Sequence, residues 1–208
     1  MESNQGAAAS LTLADSQRDT ARRILDAAYT LFLDFGLRRM TMEDVARKVG
    51  LSRITIYRYY RDKDALFHAV VHREIRRAIR HTRQQLLKLD DPHYLIEEGF
   101  VQTALQARQH PLIRRLLETE PEWLLPNLTM HSNSLFQIAL SYCKHFIRET
   151  QTAGHYPELP VEVAAEILIR LLHSAVLMPG GLMSSDKEED LRYVANLALA
   201  PIVYQLDR

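Results

Sequence analysis

Two short segments, each opened by a hydroxyl residue and separated by one glycine, constrain this chain more than any other feature. Thr41 precedes Met42-Glu43-Asp44-Val45-Ala46, Ser52 precedes Arg53-Ile54-Thr55-Ile56-Tyr57, and Gly50 stands between them. A Thr or Ser in such a place accepts a hydrogen bond from the backbone N–H groups that a helix start leaves unpaired. Asp44, three residues on, can return that bond in the manner of a capping box. Gly50 supplies the left-handed backbone of a tight reversal at little cost. The spacing therefore predicts a second helix ending at Gly50 and a third over about 53–60, joined as a helix-turn-helix. Val45, Ala46, Val49, Leu51 and Ile56 can close the core between them, with Ala46 small where the helices cross.

The remainder reads as helix nearly throughout, with no alternating strand run and no internal repeat. A first helix is expected over about 18–35, where Ile24, Ala27, Ala28, Leu31, Phe32 and Phe35 recur at three and four residues before Gly36. Asp62 caps a long fourth helix to about Leu89, where Asp90-Asp91-Pro92 breaks it. Further helices are expected over about 93–109, 111–119, 122–152, 160–178 and 187–206, with Pro126 a point of interruption in the third of these. The fold class is all-α. Residues 1–17 are expected as a disordered tail, 18–64 as a three-helix domain with the helix-turn-helix at about 41–60, and 65–208 as a larger helical domain.

On the third helix Ile56 and Tyr60 face inward, which leaves Arg53, Thr55, Tyr57, Arg58 and Tyr59 to cover the rest. A packed core needs no such set, and it suits a DNA groove. Arginine can read guanine O6 and N7 with two parallel hydrogen bonds, and Thr55 can touch a thymine methyl or a phosphate. The tyrosine hydroxyls can hold phosphate oxygens and set register. Lys63 adds a cation beside a helix N-terminus, and both favour phosphate. Charge agrees in sign: residues 1–92 carry 17 Lys and Arg against 12 Asp and Glu, and the rest carry 9 against 14.

The run T41-M-E-D-V-A-R-K-V-G-L-S-R-I-T-I-Y-R-Y-Y-R-D-K-D-A-L66 resembles the TetR family of bacterial transcription regulators. The matching pattern is a threonine-led helix, V-A-x-x-x-G-[VL]-S, T-[LI]-Y-x-[YH]-[FY] and K-x-x-L, within roughly residues 18–70. The resemblance implies a homodimer with an N-terminal DNA-binding domain and a C-terminal domain that binds an inducer and dimerises. It places Thr41, Ser52, Arg53, Thr55, Tyr57, Tyr59 and Lys63 at DNA, with Arg58 at a more variable position. Ile54, apolar on the exposed face, is expected to touch a thymine methyl or the sugar edge. Glu43 stands where a basic residue sometimes reads DNA, and its carboxylate is not assigned a contact. The function so implied is a repressor of a pseudo-palindromic double-stranded operator, released by a small lipophilic or aromatic ligand and located in the cytoplasm. A regulator without a small-molecule inducer, acting as an activator or through a protein partner, is the alternative. A helical enzyme is the third reading, and no nucleophile or carboxylate constellation speaks for it. If the chain dimerises, Ala164, Leu168, Leu171 and Ala175 with Leu191, Val194, Ala198, Ile202 and Leu206 form seams at spacings of three and four.

Other features carry less. Phe100, Trp123, Phe136 and His173 are candidates to line a ligand pocket, although aromatics at helical spacing are more often core. His68 and His72 have a metal-ligand spacing with no third ligand evident, so neither a metal nor a cofactor is expected. The arginines at 73, 76, 77, 80 and 83 read as a solvated face. Cys143, the single cysteine, reads as a small buried apolar residue and excludes an intrachain disulfide. No apolar run approaches the ~18 residues of a membrane span, and the first fourteen residues lack the basic and apolar regions of a signal peptide.

Overall fold

In the computed structural model, residues 2–89, 94–129, 135–155, 159–178, 180–181 and 187–199 are described. Among them the regular structure is helical. The order is α1 (Glu2–Arg39), α2 (Met42–Val49), α3 (Arg53–Tyr59), α4 (Lys63–Leu86), α5 (Leu95–Gln109), α6 (Pro111–Thr119), α7 (Pro121–Thr129), α8 (Leu135–Thr152), α9 (Val161–Leu177) and α10 (Glu188–Ala198). The chain divides into two compact units, Met1–Arg73 and Glu74–Arg208. The expected boundary at 64/65 thus moves into α4. The reason is visible in the packing: Leu66, Phe67, Val70 and Val71 are buried, and the Phe67 ring meets Phe32 of α1 edge-on at 4.6 Å.

In the first unit, α1 begins at Glu2, not after a tail. Ala7, Ala8 and Ala9 are strong helix formers, and once a helix is nucleated each added residue brings one more backbone hydrogen bond. Gly36, at φ 79° and ψ 168°, breaks the regular helix where the sequence placed its end. Ile24, Ala28, Phe32, Met40, Val45 and Ile56 are sealed from solvent and form the core of this unit with the start of α4.

The turn after α2 takes the expected form. Gly50 lies at φ 72° and ψ 33°. Its N–H reaches the Arg47 carbonyl at 3.3 Å, and the Leu51 N–H reaches back to the Ala46 carbonyl at 3.0 Å. These two bonds satisfy carbonyls that the helix end leaves open.

In the second unit, α8 packs on α9, and α5 packs on both α9 and α10. Ile96, Leu140, Ile147, Leu159, Ala164, Ala165 and Ile169 make one core cluster. Phe100, Val101, Ala104, Ala175, Leu191, Ala195 and Leu199 make a second. The segment expected as one helix over 122–152 is two. Pro126 sits inside α7, not at its end, and α8 starts only at Leu135.

Both seams expected at a dimer interface are packed in part within a single chain. Ala164, Ala175 and Leu191 are 3%, 1% and 0% exposed within a single chain. Leu168 and Leu171 pack against the same clusters from their edge, and Val194 and Ala198 are half-buried. Ile202 and Leu206 lie outside the described residues. The spacing was right for a packed face, but α9 is apolar on most sides, so period alone does not say which face meets which neighbour.

Gly50 offers a clean test of the turn. A Cβ added there meets nothing within 4 Å, so the penalty for a side chain is conformational alone. Gly50→Ala is expected to cost about 1–2 kcal/mol in urea unfolding, and Gly50→Asn less, because asparagine tolerates this backbone. Equal losses for the two would show that space, not φ, sets the requirement.

Candidate nucleic-acid interface

Side-chain caps open α2, α3 and α4 alike. Thr41 Oγ1 accepts from the Asp44 N–H at 3.2 Å, and the Thr41 N–H donates to Asp44 Oδ2 at 3.1 Å. The Thr41 hydroxyl adds a third bond to the same carboxylate at 2.6 Å. The bonds from the Thr41 hydroxyl and N–H hold the Asp44 carboxyl below its ordinary range. Ser52 Oγ accepts from the Thr55 N–H at 3.1 Å, and the Ser52 and Thr55 hydroxyls bond each other at 2.9 Å. Asp62 Oδ1 accepts from the Ala65 N–H at 2.7 Å at the start of α4.

Only Ile56 of α3 is buried. Arg53, Ile54, Tyr57 and Arg58 are exposed, while Thr55, Tyr59 and Tyr60 are half-buried. The Arg53 guanidinium lies 5.4 Å from the Tyr57 ring centroid and donates to the Tyr57 hydroxyl at 3.4 Å. That bond pushes Arg53 further above its already high value. Arg58 lies 5.9 Å from the Tyr59 ring centroid. Such stacking narrows the range of a long side chain without neutralising it. Burial pushes the Tyr60 hydroxyl up, against the opposing charge of Arg73, which suits an inward anchor.

Lys63 is not a free cation: its Nζ donates to the Arg38 carbonyl at 3.3 Å. The bond leaves two of its three donors for a phosphate. Thr41 stays exposed beside its cap, and Glu43 is exposed on the same helix. The sequence reading missed two bracing arginines. Arg23 donates to the Val49 carbonyl at 2.9 Å, tying α1 to the end of α2. Arg73 pairs with Asp26 at 2.7 Å and stacks over Tyr29, so it departs from the solvated face expected of the arginine stripe. Arg77 pairs with Glu74 and Arg83 with Glu149, while Arg76 donates to the Tyr142 hydroxyl at 2.8 Å. Lone arginines in a polar stripe give no signal of which carbonyl or carboxylate they will meet.

The pocket candidates of the second unit separate. Phe136 and His173 meet edge-on at 5.3 Å, and the Arg170 guanidinium lies 5.7 Å from the Phe136 ring centroid. Burial, then the nearby Arg170 charge, lowers the His173 pKa and favours the neutral imidazole. Phe100 instead belongs to the α5–α9–α10 cluster and is 5% exposed. Trp123 is half-buried on α7. Cys143 packs against the first cluster, where burial pushes its thiol up to about 12. On α4, His68 is exposed and His72 half-buried. Among the described residues no group of three or more His, Cys, Asp or Glu is placed to hold a metal ion.

The family model for bacterial regulatory proteins of the tetR family matches residues 24–70, and the model for the bacterial tetracyclin repressor C-terminal domain matches residues 91–198. The chain belongs to the TetR family. It is a transcription regulator with an HTH domain, not an enzyme. Regulators of this family bind DNA operators and small ligands and are typically dimers.

An HTH-type transcriptional regulator of Mycobacterium tuberculosis is 27% identical over 183 residues, covering 88% of this chain and 85% of the relative. SrpR of Pseudomonas putida is 27% identical over 189 residues, covering 85% of this chain and 82% of SrpR. RolR, in complex with resorcinol, is similar in fold, with a TM-score of 0.62 at 17% identity over 92% of this chain and 90% of RolR. Among the described residues no helix is long and apolar enough to cross a membrane.

The capping role of Thr41 can be measured without DNA. Thr41→Ala removes the cap and is expected to cost about 1 kcal/mol of stability, whereas Thr41→Ser keeps the hydroxyl and most of the stability. Thermal unfolding of the three proteins checks this.

Proposed function

We propose that this regulator is a homodimeric repressor that leaves a pseudo-palindromic operator when a small aromatic or lipophilic molecule binds its second unit. The observation that carries the DNA half of this reading is α3: one buried side chain fastens it, and its exposed face holds two cations poised on tyrosine rings. In this reading Arg53 enters the major groove and reads a guanine. Thr41, Tyr57, Tyr59 and Lys63 hold phosphates. Ser52 and Thr55, whose hydroxyls already bond each other, position the start of the helix at the backbone. Arg58 contributes charge at the groove edge.

The ligand half is supported by the Phe136–His173–Arg170 group, where a neutral imidazole offers one donor and one acceptor beside an aromatic ring. Leu95, Leu168 and Leu172 supply apolar surface packed on the same cluster. RolR, with its resorcinol, is a relative in fold that takes a small hydroxylated ring.

The pairing face is assigned to the outward sides of α9 and α10. Val163, Met178, Tyr193 and Leu197 are large apolar residues left 54%, 64%, 60% and 66% exposed. Pairing matters because one short helix reads few base pairs, while a two-fold dimer sets two of them about 34–36 Å apart on one face of DNA. A ligand that changes this separation lowers affinity without touching a reading residue.

Four measurements test the parts separately. Arg53→Ala is expected to cost about 1–3 kcal/mol of operator binding and relax base preference at one position per half-site. Lys63→Ala is expected to weaken all sequences alike and lower the salt slope by about one; altered base preference with an unchanged slope would reverse its role. Tyr193→Glu with Leu197→Glu is expected to give monomers in sedimentation and a large loss of operator affinity. Phe136→Ala is expected to blunt release by an aromatic ligand while leaving ligand-free operator affinity intact.

A further inference from the structure

Ile54 is 83% exposed, more than any other large apolar side chain identified among the described residues. It occupies the second position of a seven-residue helix. Nothing in folding asks for it there. A β-branched side chain is a middling helix former, and leaving it in water forgoes the free energy of burying it. Isolated exposed apolar residues are ordinary on protein surfaces, so exposure alone assigns nothing. Its neighbours decide the matter. The preceding residue is Arg53, stacked on Tyr57, and four residues on is Arg58, near the Tyr59 ring. Ile54 is therefore the apolar spot on a surface otherwise made of cations and phenols.

The major groove has one strong apolar feature, the C5-methyl of thymine. Two residues of α3 could meet it, Ile54 and Thr55. Thr55 is half-buried and its hydroxyl is engaged by Ser52 at 2.9 Å. Ile54 carries no polar group to divert, and branching at Cβ holds it near one rotamer in a helix. Little side-chain entropy remains to be lost on contact.

We infer that Ile54 is a specificity residue that reads a thymine methyl in each half-site, an apolar group that the Arg53 guanidinium is not built to recognise. This rests on the reading of α3 as the DNA-contacting helix. The contact is apolar, so it changes base preference and leaves the salt dependence of binding unaltered.

The experiment uses the full-length protein and a duplex selected from a random-sequence pool. Each thymine of the selected half-site is replaced in turn by deoxyuridine, which lacks only the methyl group. Affinities are measured for the native protein, Ile54→Ala and Thr55→Ser. At one thymine per half-site, the native protein is expected to lose about fourfold on losing the methyl, the factor of one methyl group withdrawn from water. Ile54→Ala is expected to bind the two duplexes equally, which sets the coupling between side chain and methyl at the full fourfold, and to match the native protein on the uracil duplex because the methyl is the group that Ile54 touches. Thr55→Ser is expected to retain the methyl preference. Ile54 is exposed, so the substitution is not expected to lower the unfolding midpoint, and its thermal transition is recorded alongside. A native protein indifferent to every methyl overturns the inference. So does an Ile54→Ala protein that keeps the preference, one that loses equally on both duplexes, or a preference that vanishes in Thr55→Ser. Failure of the pool to yield any bound duplex would overturn the DNA-binding reading itself, which is a separate outcome.

Discussion

The burial of one side chain, Ile56, is what the interface depends on. A helix of seven residues has too few hydrogen bonds to repay the ordering of its backbone in water. α3 persists because Ile56 is sealed in the core of the first unit and because Ser52 caps its first turn. That economy has a chemical result. With one residue fully buried, four of the seven, Arg53, Ile54, Tyr57 and Arg58, remain exposed. A longer helix with a wider buried stripe would have fewer positions to present.

Rigidity at this site is built from polar bonds at the margins. Thr41 and Asp44 close a reciprocal box, Arg23 clamps the last turn of α2, and Arg73 fixes α4 to Asp26 of α1. Each is modest, since partly exposed ion pairs contribute on the order of 0–1 kcal/mol. Together they restrict the pose of two short helices, and pose is what groove recognition needs. The second unit uses the opposite means. Its clusters between α5, α8, α9 and α10 are aliphatic apart from Phe100, with Ala164, Ala165, Ala175 and Ala195 allowing close approach of the helix axes.

How much of this could be read beforehand follows from the range of each interaction. The caps at Thr41, Ser52 and Asp62 and the turn at Gly50 were legible because donor and acceptor lie within four residues of each other. Gly36 was legible for the same reason, since its backbone requirement is local. The face of α9 that meets its neighbours was not legible. Ala164 and Ala175 fit an inward or an outward seam equally well until α5 and α8 are in place. The partners of Arg23 and Arg73, 26 and 47 residues away, leave no trace in a local pattern. The division at Arg73 was missed because α4 is unbroken in its caps and period, and only burial of its first turns against α1 marks the change. At the candidate pocket, Phe136 and His173 came together as a pair, whereas Phe100 was claimed by the neighbouring core.

The surroundings of Cys143 have a consequence for how the regulator behaves in the cell. Thiols react with peroxides, disulfides and electrophiles as thiolates. With its pKa pushed to about 12, roughly one Cys143 in 10⁵ is ionised at neutral pH. The chain has no second cysteine to serve as a resolving partner. Cys143 is therefore a poor target for thiol-directed oxidants, and its place in the chain is that of a small apolar packing residue.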